Sequence, residues 1–423
     1  VVRRVFEHGA YADRAFTAEA VGLDARDRAL AMALAYGTVQ RRATLDHVIS
    51  RLSRRPPERL DPPVLAALRL GMLQLLLLDG IAEHAAVNES VELVKRSAHG
   101  GQGLVNAVLR RATREGQAIL SELDDLTPAG AAVLHSVPRW LAELWFAELG
   151  APAARALLAR INQPAESALR VNTLVASPDE VLARLGVAGH PAPGLPEGLV
   201  LDQPFDAHGS APWREGAIMP QSRGSMLVAR ALDPQPGQRV LDLCAAPGAK
   251  TTQLAALMGD QGTLVAVERH PGRAQALQRT LARMQIGCAE VRIADATAVS
   301  DAESYDRVLV DPPCSGLGTL QSRPDLRWRT SPERIAELAP LQAGILRAGA
   351  AATASGGVLV YSVCTISLAE GERVIEHFLA EDQRFVCEDV GAQLAIPGPR
   401  PFLQLRPDEH GTDGFLIARL RRR

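Results

Sequence analysis

Two cysteines and one aspartate in the second half of the chain have the types and spacing for covalent work on a ring. Asp311-Pro312-Pro313-Cys314 follows one apolar strand-like run, and Tyr361-Ser362-Val363-Cys364-Thr365 closes the next. Neighbouring strands lie about 5 Å apart, so thiols at the ends of a fourth and a fifth strand share one cleft, with Asp311 beside them. A thiolate that adds to carbon 6 of a pyrimidine makes carbon 5 able to attack an electrophilic methyl group. An acid near ring N3 stabilises the charge that develops. One cysteine attacks and the other assists release; the spacing does not say which. A [DNS]-P-P-aromatic tetrad here would serve exocyclic amines, but the aromatic position is Cys314. Cys288 and Cys387 read as small buried hydrophobes, and Cys244 as a small loop residue.

Such chemistry needs a methyl donor. Leu241-Asp242-Leu243-Cys244-Ala245-Ala246-Pro247-Gly248-Ala249-Lys250 is a strand end running into a small-residue turn, which lets backbone approach a ligand at a helix start. Neither GxGxxG nor GxxxxGK[ST] is present, so the expected ligand is a nucleoside without a pyrophosphate. Glu268 ends the second strand, 26 residues after Asp242, where an acid accepts hydrogen bonds from ribose hydroxyls. Asp295 follows the third strand and is placed to meet an adenine edge. The expected cofactor-binding set is Cys244, Ala245, Ala246, Pro247, Gly248, Lys250, Glu268, Asp295 and Asp311. Each acid alone is more often a solvated strand end; three in register on one sheet edge reverse that reading.

The elements that position these residues follow from periodicity. From about residue 226, strand-like runs (Arg239–Leu243, Thr263–Glu268, 291–293, 307–310, 358–361) alternate with helical ones, one opened by Pro271 and one by Ser331-Pro332. This rhythm predicts an α/β, doubly wound, mostly parallel Rossmann-like sheet of order 3-2-1-4-5, with its ligands beyond the carboxyl ends of the strands. Residues 131–225 read as a small α+β module, with a helix from Pro138 to Leu149 and a strand over 169–174. Residues 1–130 read as all helix, with Asp61 capping a helix that Pro62-Pro63 begin and Arg110-Arg111 closing the last one.

Composition bounds the rest. The 423 residues suffice for two or three domains. Five cysteines, none before Cys244 and none in a CxxC pair, exclude a disulfide framework and a finger-type zinc site, and predict a reducing compartment, here the cytoplasm. No metal is expected. A net charge of −2 excludes a globally basic nucleic-acid coat but not a local patch. Only Lys95 and Lys250 are lysines, so 44 of the 46 basic residues are arginines, the better forks for phosphate. The apolar run 70–78 is too short to span a bilayer. The first residues lack a signal core, and the absence of an initiator Met suggests residues upstream.

At these motifs the chain resembles the RNA 5-methylcytosine methyltransferases, nearest the small-subunit ribosomal RNA methyltransferase B group. The resemblance runs from about Trp140 to the C-terminus. It rests on CAAPGxKT (Cys244–Thr251), DPPCSGxG (Asp311–Gly318), Arg323-Pro324-Asp325-Leu326-Arg327-Trp328, YSxCxxxxxE (Tyr361–Glu370) and Gly411-Thr412-Asp413-Gly414-Phe415. The first 130 residues are similar to NusB-type helical domains at 87–93 and 104–110, a fusion that marks this group. The resemblance implies S-adenosylmethionine as donor, Cys364 as nucleophile, Cys314 in product release, Lys250 at the cofactor loop and a cytidine of 16S ribosomal RNA as target. Ala249 stands where a second Gly is usual, Val363 where Thr is usual, and Ser222 where Asp is usual.

A target base must leave its stack to be reached. Arg323, Arg327, Trp328 and Arg329 combine guanidinium groups with an aromatic ring and are the expected RNA contacts. Arg41, Arg42, Arg54, Arg55, Arg110 and Arg111 are further candidates. A monomer is expected. Two rival readings keep the chain but change its work: a tRNA cytosine-5 methyltransferase, or a non-catalytic RNA-binding assembly factor.

Overall fold

Helical spacing in the first part of the chain yields helices in the computed structural model, which describes residues 1–97, 100–299 and 304–423. The described residues divide into two units, Val1–Gln163 with Leu320–Ser331, and Pro164–Thr319 with Pro332–Arg423.

In the first unit the helix Pro62–Leu76 is central and packs on Glu83–Ser97 and Gln102–Ser121. Its first two residues are prolines, whose missing N–H costs nothing at that position, but Asp61 makes no side-chain capping bond. A Cβ on Gly71 would stand 2.6 Å from Leu109 Cδ1, so glycine lets the last of these helices approach. That helix runs on to Ser121 rather than closing at Arg110-Arg111. The helices Pro128–Leu134, Arg139–Leu149 and Ala151–Arg160 belong to this unit, which continues to Gln163.

The second unit holds two sheets. A four-stranded antiparallel sheet is built from β1 (Ser167–Val171), β2 (Gly189–Pro191), β3 (Gly198–Leu201) and β4 (Ile218–Pro220), in the order β2-β3-β1-β4. The larger sheet holds β5 (Arg239–Leu243), β6 (Thr263–Glu268), β7 (Ala289–Ile293), β8 (Tyr305–Val310), β9 (Thr353–Val363), β10 (Phe385–Glu388), β11 (Leu403–Gln404) and β12 (Leu416–Arg422). Its order is β7-β6-β5-β8-β9-β12-β10, with β11 on β12. The first five strands pair in parallel in the expected 3-2-1-4-5 order, and β12 adds antiparallel to β9. Both faces of the central strands are buried: Leu241, Val308 and Tyr361 face one core, Val240, Leu309 and Val360 the other. This is why these strands read as apolar runs rather than as alternation. The carboxyl ends of β5, β6, β8 and β9 therefore open onto one edge, and the motifs lie there.

Candidate active site

The turn after β5 is shaped by backbone. Cys244 takes φ 69° and Gly248 φ 105° before the helix Ala249–Leu257 begins. Gly248 is required there: a Cβ would stand 2.7 Å from Leu277 Cδ1 and would meet the left-handed penalty as well. Below the turn, Asp242 is buried and accepts from Thr251 Oγ1 at 2.7 Å. Burial, with Asp311 nearby, pushes its carboxyl up to about 7 against the lowering effect of that bond.

Glu268 ends β6 almost wholly buried, accepting from the His270 amide at 2.8 Å. Arg273 stands 3.3 Å from its other oxygen and also donates to the Ala246 carbonyl at 2.7 Å. Arg273 thus bridges the strand end and the small-residue turn, a role that its place in a polar helix does not announce. Asp295 is more exposed. Its Oδ1 accepts from the side chain and amide of Thr297, bonds that lower its carboxyl, so it caps a short turn over Ala296–Ala298. Cys244 to Gly248 offer backbone to a ligand, with the Glu268 carboxylate beyond; the residues present fit a nucleoside.

Lys250 leaves the first turn of the helix and places Nζ 2.8 Å from Asp311 Oδ2 and 5.1 Å from the Phe415 ring centroid. Burial works to lower the Lys250 ammonium, but the charge and hydrogen bond of Asp311, with the negative charge of Cys364, hold it above its usual value. Asp311 Oδ1 accepts from Ser362 Oγ at 2.8 Å, tying β8 to β9. The two thiols meet as the strand order requires: Cys314 Sγ lies 3.2 Å from Cys364 Sγ. Their hydrogen bond, then burial, then the negative charges of Cys364, Glu370 and Asp311 push the Cys314 thiol well up. The other cysteines are held protonated chiefly by burial, Cys244 and Cys288 at about 12 and Cys387 at about 11.

The three departures from the motif pattern have local accounts. Ser222 caps the helix Arg223–Leu232, accepting from the Ser225 amide. Val363 is fully buried in the core, while its neighbours Ser362 and Thr365 supply hydroxyls to Asp311 and Glu370. Ala249 offers its carbonyl to the buried Arg170, which also holds Thr252 Oγ1 at 2.6 Å and Gln221 Oε1 at 2.8 Å. The last motif is explained by contact: Gly414 donates to the Gly318 carbonyl at 2.8 Å, and a Cβ on Gly318 would stand 2.0 Å from the Gly414 oxygen.

The expected RNA contacts divide, and they lie in the first unit. Arg327 is fully buried, its guanidinium donating at 3.0–3.4 Å to Asn162 Oδ1 and to the carbonyls of Gln40, His135, Ser136, Ile161 and Leu320. It cannot reach a phosphate, because it is buried and its two terminal nitrogens are taken by oxygens inside the unit. Trp328 is half-buried, with Nε1 on the Val39 carbonyl at 2.7 Å and Arg42 over its ring. Arg323 and Arg329 are exposed, the latter stacked on Tyr11 and bonded to the Gly9 carbonyl. Arg54, Arg55 and Arg110 are exposed as well, whereas Arg111 is paired with Glu115.

Among the described residues no helix is long and apolar enough to cross a membrane, and no group of three or more His, Cys, Asp or Glu residues could hold a metal.

Comparison with known proteins gives matches in three segments. Residues 229–421 match the family model described as 16S rRNA methyltransferase RsmB/F, residues 1–114 match the NusB family, and residues 137–208 match an RsmF/B-like ferredoxin-like domain. The probable ribosomal RNA small subunit methyltransferase B of Synechocystis is 39% identical over 415 residues, covering 94% of this chain and 91% of that one. The ribosomal RNA small subunit methyltransferase B of Thermus thermophilus is 39% identical over 401 residues, covering 94% and 89%. Among solved structures, PH0851 is similar with a TM-score of 0.81 and 27% identity, over 96% of this chain and 93% of that one.

Proposed function

Because the chain belongs to the RsmB/F family of 16S ribosomal RNA methyltransferases, we propose that it methylates carbon 5 of one cytidine in 16S ribosomal RNA through a covalent cysteine adduct. The observation that carries the reading is the thiol pair, 3.2 Å apart at adjacent strand ends beside the Lys250–Asp311 pair. S-adenosylmethionine, held by the turn Cys244–Gly248 with Glu268 and Asp295, supplies an electrophilic methyl group.

The two thiols are in contact at 3.2 Å, so a proton can pass between them. Following the motif resemblance, the attacking thiolate is assigned to Cys364. It adds to carbon 6 of the flipped cytosine, forming a carbon–sulfur bond while electron density moves toward carbon 5 and ring N3. Asp311 is the acid placed to hydrogen-bond ring N3 as that charge grows. Carbon 5 would take the methyl group as that group's bond to the donor's sulfonium breaks to leave a neutral thioether, and carbon 5 would then lose its proton to water. The Cys364–carbon 6 bond breaks, and the Cys314 thiol assists by giving its proton to the departing sulfur.

Mapping 5-methylcytosine in ribosomal RNA by bisulfite sequencing, with and without the protein, tests the reading. One 16S position is expected to lose its mark when the protein is removed. Loss from tRNA alone would assign the substrate elsewhere, and an unchanged map together with no binding of S-adenosylmethionine by calorimetry would leave an assembly role.

A further inference from the structure

Glu370 is a buried carboxylate that the chemistry above does not use. It follows β9 by seven residues and is fully buried, and no lysine or arginine among the described residues pairs with it. Its charge is met by neutral donors alone. The Ser315 amide donates to Oε1 at 2.8 Å, Gln342 Nε2 to the same oxygen at 3.0 Å, and Thr365 Oγ1 to Oε2 at 3.2 Å. Ser315 Oγ donates to Oε2 as well. A buried charge without a counter-ion is costly and persists only when its hydrogen bonds are complete. The placement of these bonds is specific. Ser315 directly follows Cys314 and Thr365 directly follows Cys364, and their hydroxyl oxygens lie 2.9 Å apart over the same carboxylate oxygen. Gln342 braces the same loop by donating to the Pro313 carbonyl at 2.9 Å. The Glu370 carbonyl is held in turn by Tyr361 OH at 2.7 Å.

We infer that Glu370 is a positioning residue: one carboxylate clamps the loops that carry the two thiols and fixes the distance between Cys314 and Cys364. A neutral amide cannot replace it. Glutamine would present an N–H group where the carboxylate accepts from two hydroxyls, and one loop would lose its strut. A displacement of about 1 Å between reacting groups costs on the order of a hundredfold in rate. The struts are also separable. Ser315 holds the Cys314 loop, so its loss bears on release; Thr365 holds the Cys364 loop, so its loss bears on attack.

The inference rests on the methyltransfer reading for its kinetic consequences but not for its geometry, and the experiment separates the two. In the full-length protein without RNA, diamide oxidises the thiol pair to a disulfide, taking two hydrogens and becoming the hydrazine. Glu370→Gln is expected to slow this reaction by about tenfold or more at an unchanged melting temperature, with S-adenosylmethionine affinity within about twofold of the parent. With RNA, Ser315→Ala is expected to accumulate covalent adduct and Thr365→Ala to form it more slowly, each with kcat lowered and KM for RNA little changed. An unchanged oxidation rate in both Glu370→Gln and Thr365→Ala would overturn the inference. So would a rate lost only in proportion to unfolding. Altered oxidation without methyl transfer by the parent would uphold the clamp and refute the methyltransfer reading.

Discussion

At the scale of single residues, charge placement does the sorting. Lys250 donates to Asp311 at 2.8 Å, so Lys250→Met is expected to leave that carboxylate without its counter-ion beside the thiols, lowering single-turnover methyl transfer by about tenfold or more. A stopped-quench assay at saturating donor checks this; an unchanged rate would make Lys250 a helix-start residue only. Asp242 gives a pH signature. Its folded carboxyl is raised to about 7, against about 4 in the unfolded chain. Its contribution to stability is therefore complete below pH about 4 and is lost as pH rises through about 7. Melting curves from pH 5 to 8 should show that decline in the parent and a flatter profile in Asp242→Asn. The meeting of the thiols and Asp311 is legible in the sequence because strand ends carry chemistry in such folds, whereas Lys250 is singled out only by the resemblance. Glu370 closes the YSxCxxxxxE motif, but its contacts with both thiol loops are not legible there, and Arg273 is not legible at all, because an arginine in a polar helix has no spacing that sets it apart from solvated residues.

At the scale of elements, close approach decides which residues are tolerated. Gly248→Ala would place a Cβ 2.7 Å from Leu277 Cδ1 at φ 105°, and calorimetry is expected to show S-adenosylmethionine binding weakened by about tenfold or more, since each 1.4 kcal/mol of strain costs a factor of ten. The parallel strands are legible because double burial makes them apolar. The antiparallel tail is not: β12 (Leu-Ile-Ala-Arg-Leu-Arg-Arg) carries three arginines. Two of them are mostly buried, Arg419 bonding Glu388 and the Ala231 carbonyl and Arg422 the Thr353 carbonyl, and such a sequence resembles a solvated end. The segment Leu320–Ser331 misleads for the opposite reason. Arginines beside a tryptophan look like an RNA face, but Arg327 is an interior tie to six oxygen acceptors. Arg327→Met is expected to destabilise the chain by about 3 kcal/mol or more, because buried acceptors lose their donors, while Arg323→Ala leaves urea unfolding unchanged and weakens RNA binding with a shallower salt dependence. Equal stability of the two variants would contradict the assignment.

At the scale of the whole molecule, the uneven distribution of cysteines along the chain already separates its parts. The thiol-free helices and the thiol-bearing sheet do fall into different units, but the boundary does not follow sequence alone, since twelve residues of the catalytic half, Leu320–Ser331, belong to the helical unit. No local pattern encodes such an excursion; it follows from which buried donors and acceptors find each other. The proposed activity then rests on one covalent step. Purified full-length Cys314→Ala and Cys364→Ala, each incubated with 16S ribosomal RNA and S-adenosylmethionine and resolved on a denaturing gel, test it most directly. The first is expected to give a slow-migrating, ribonuclease-sensitive protein–RNA adduct, and the second no adduct and no methyl transfer. An adduct from Cys364→Ala and none from Cys314→Ala would contradict the assignment of the attacking thiol, and full activity in both would contradict the covalent mechanism itself.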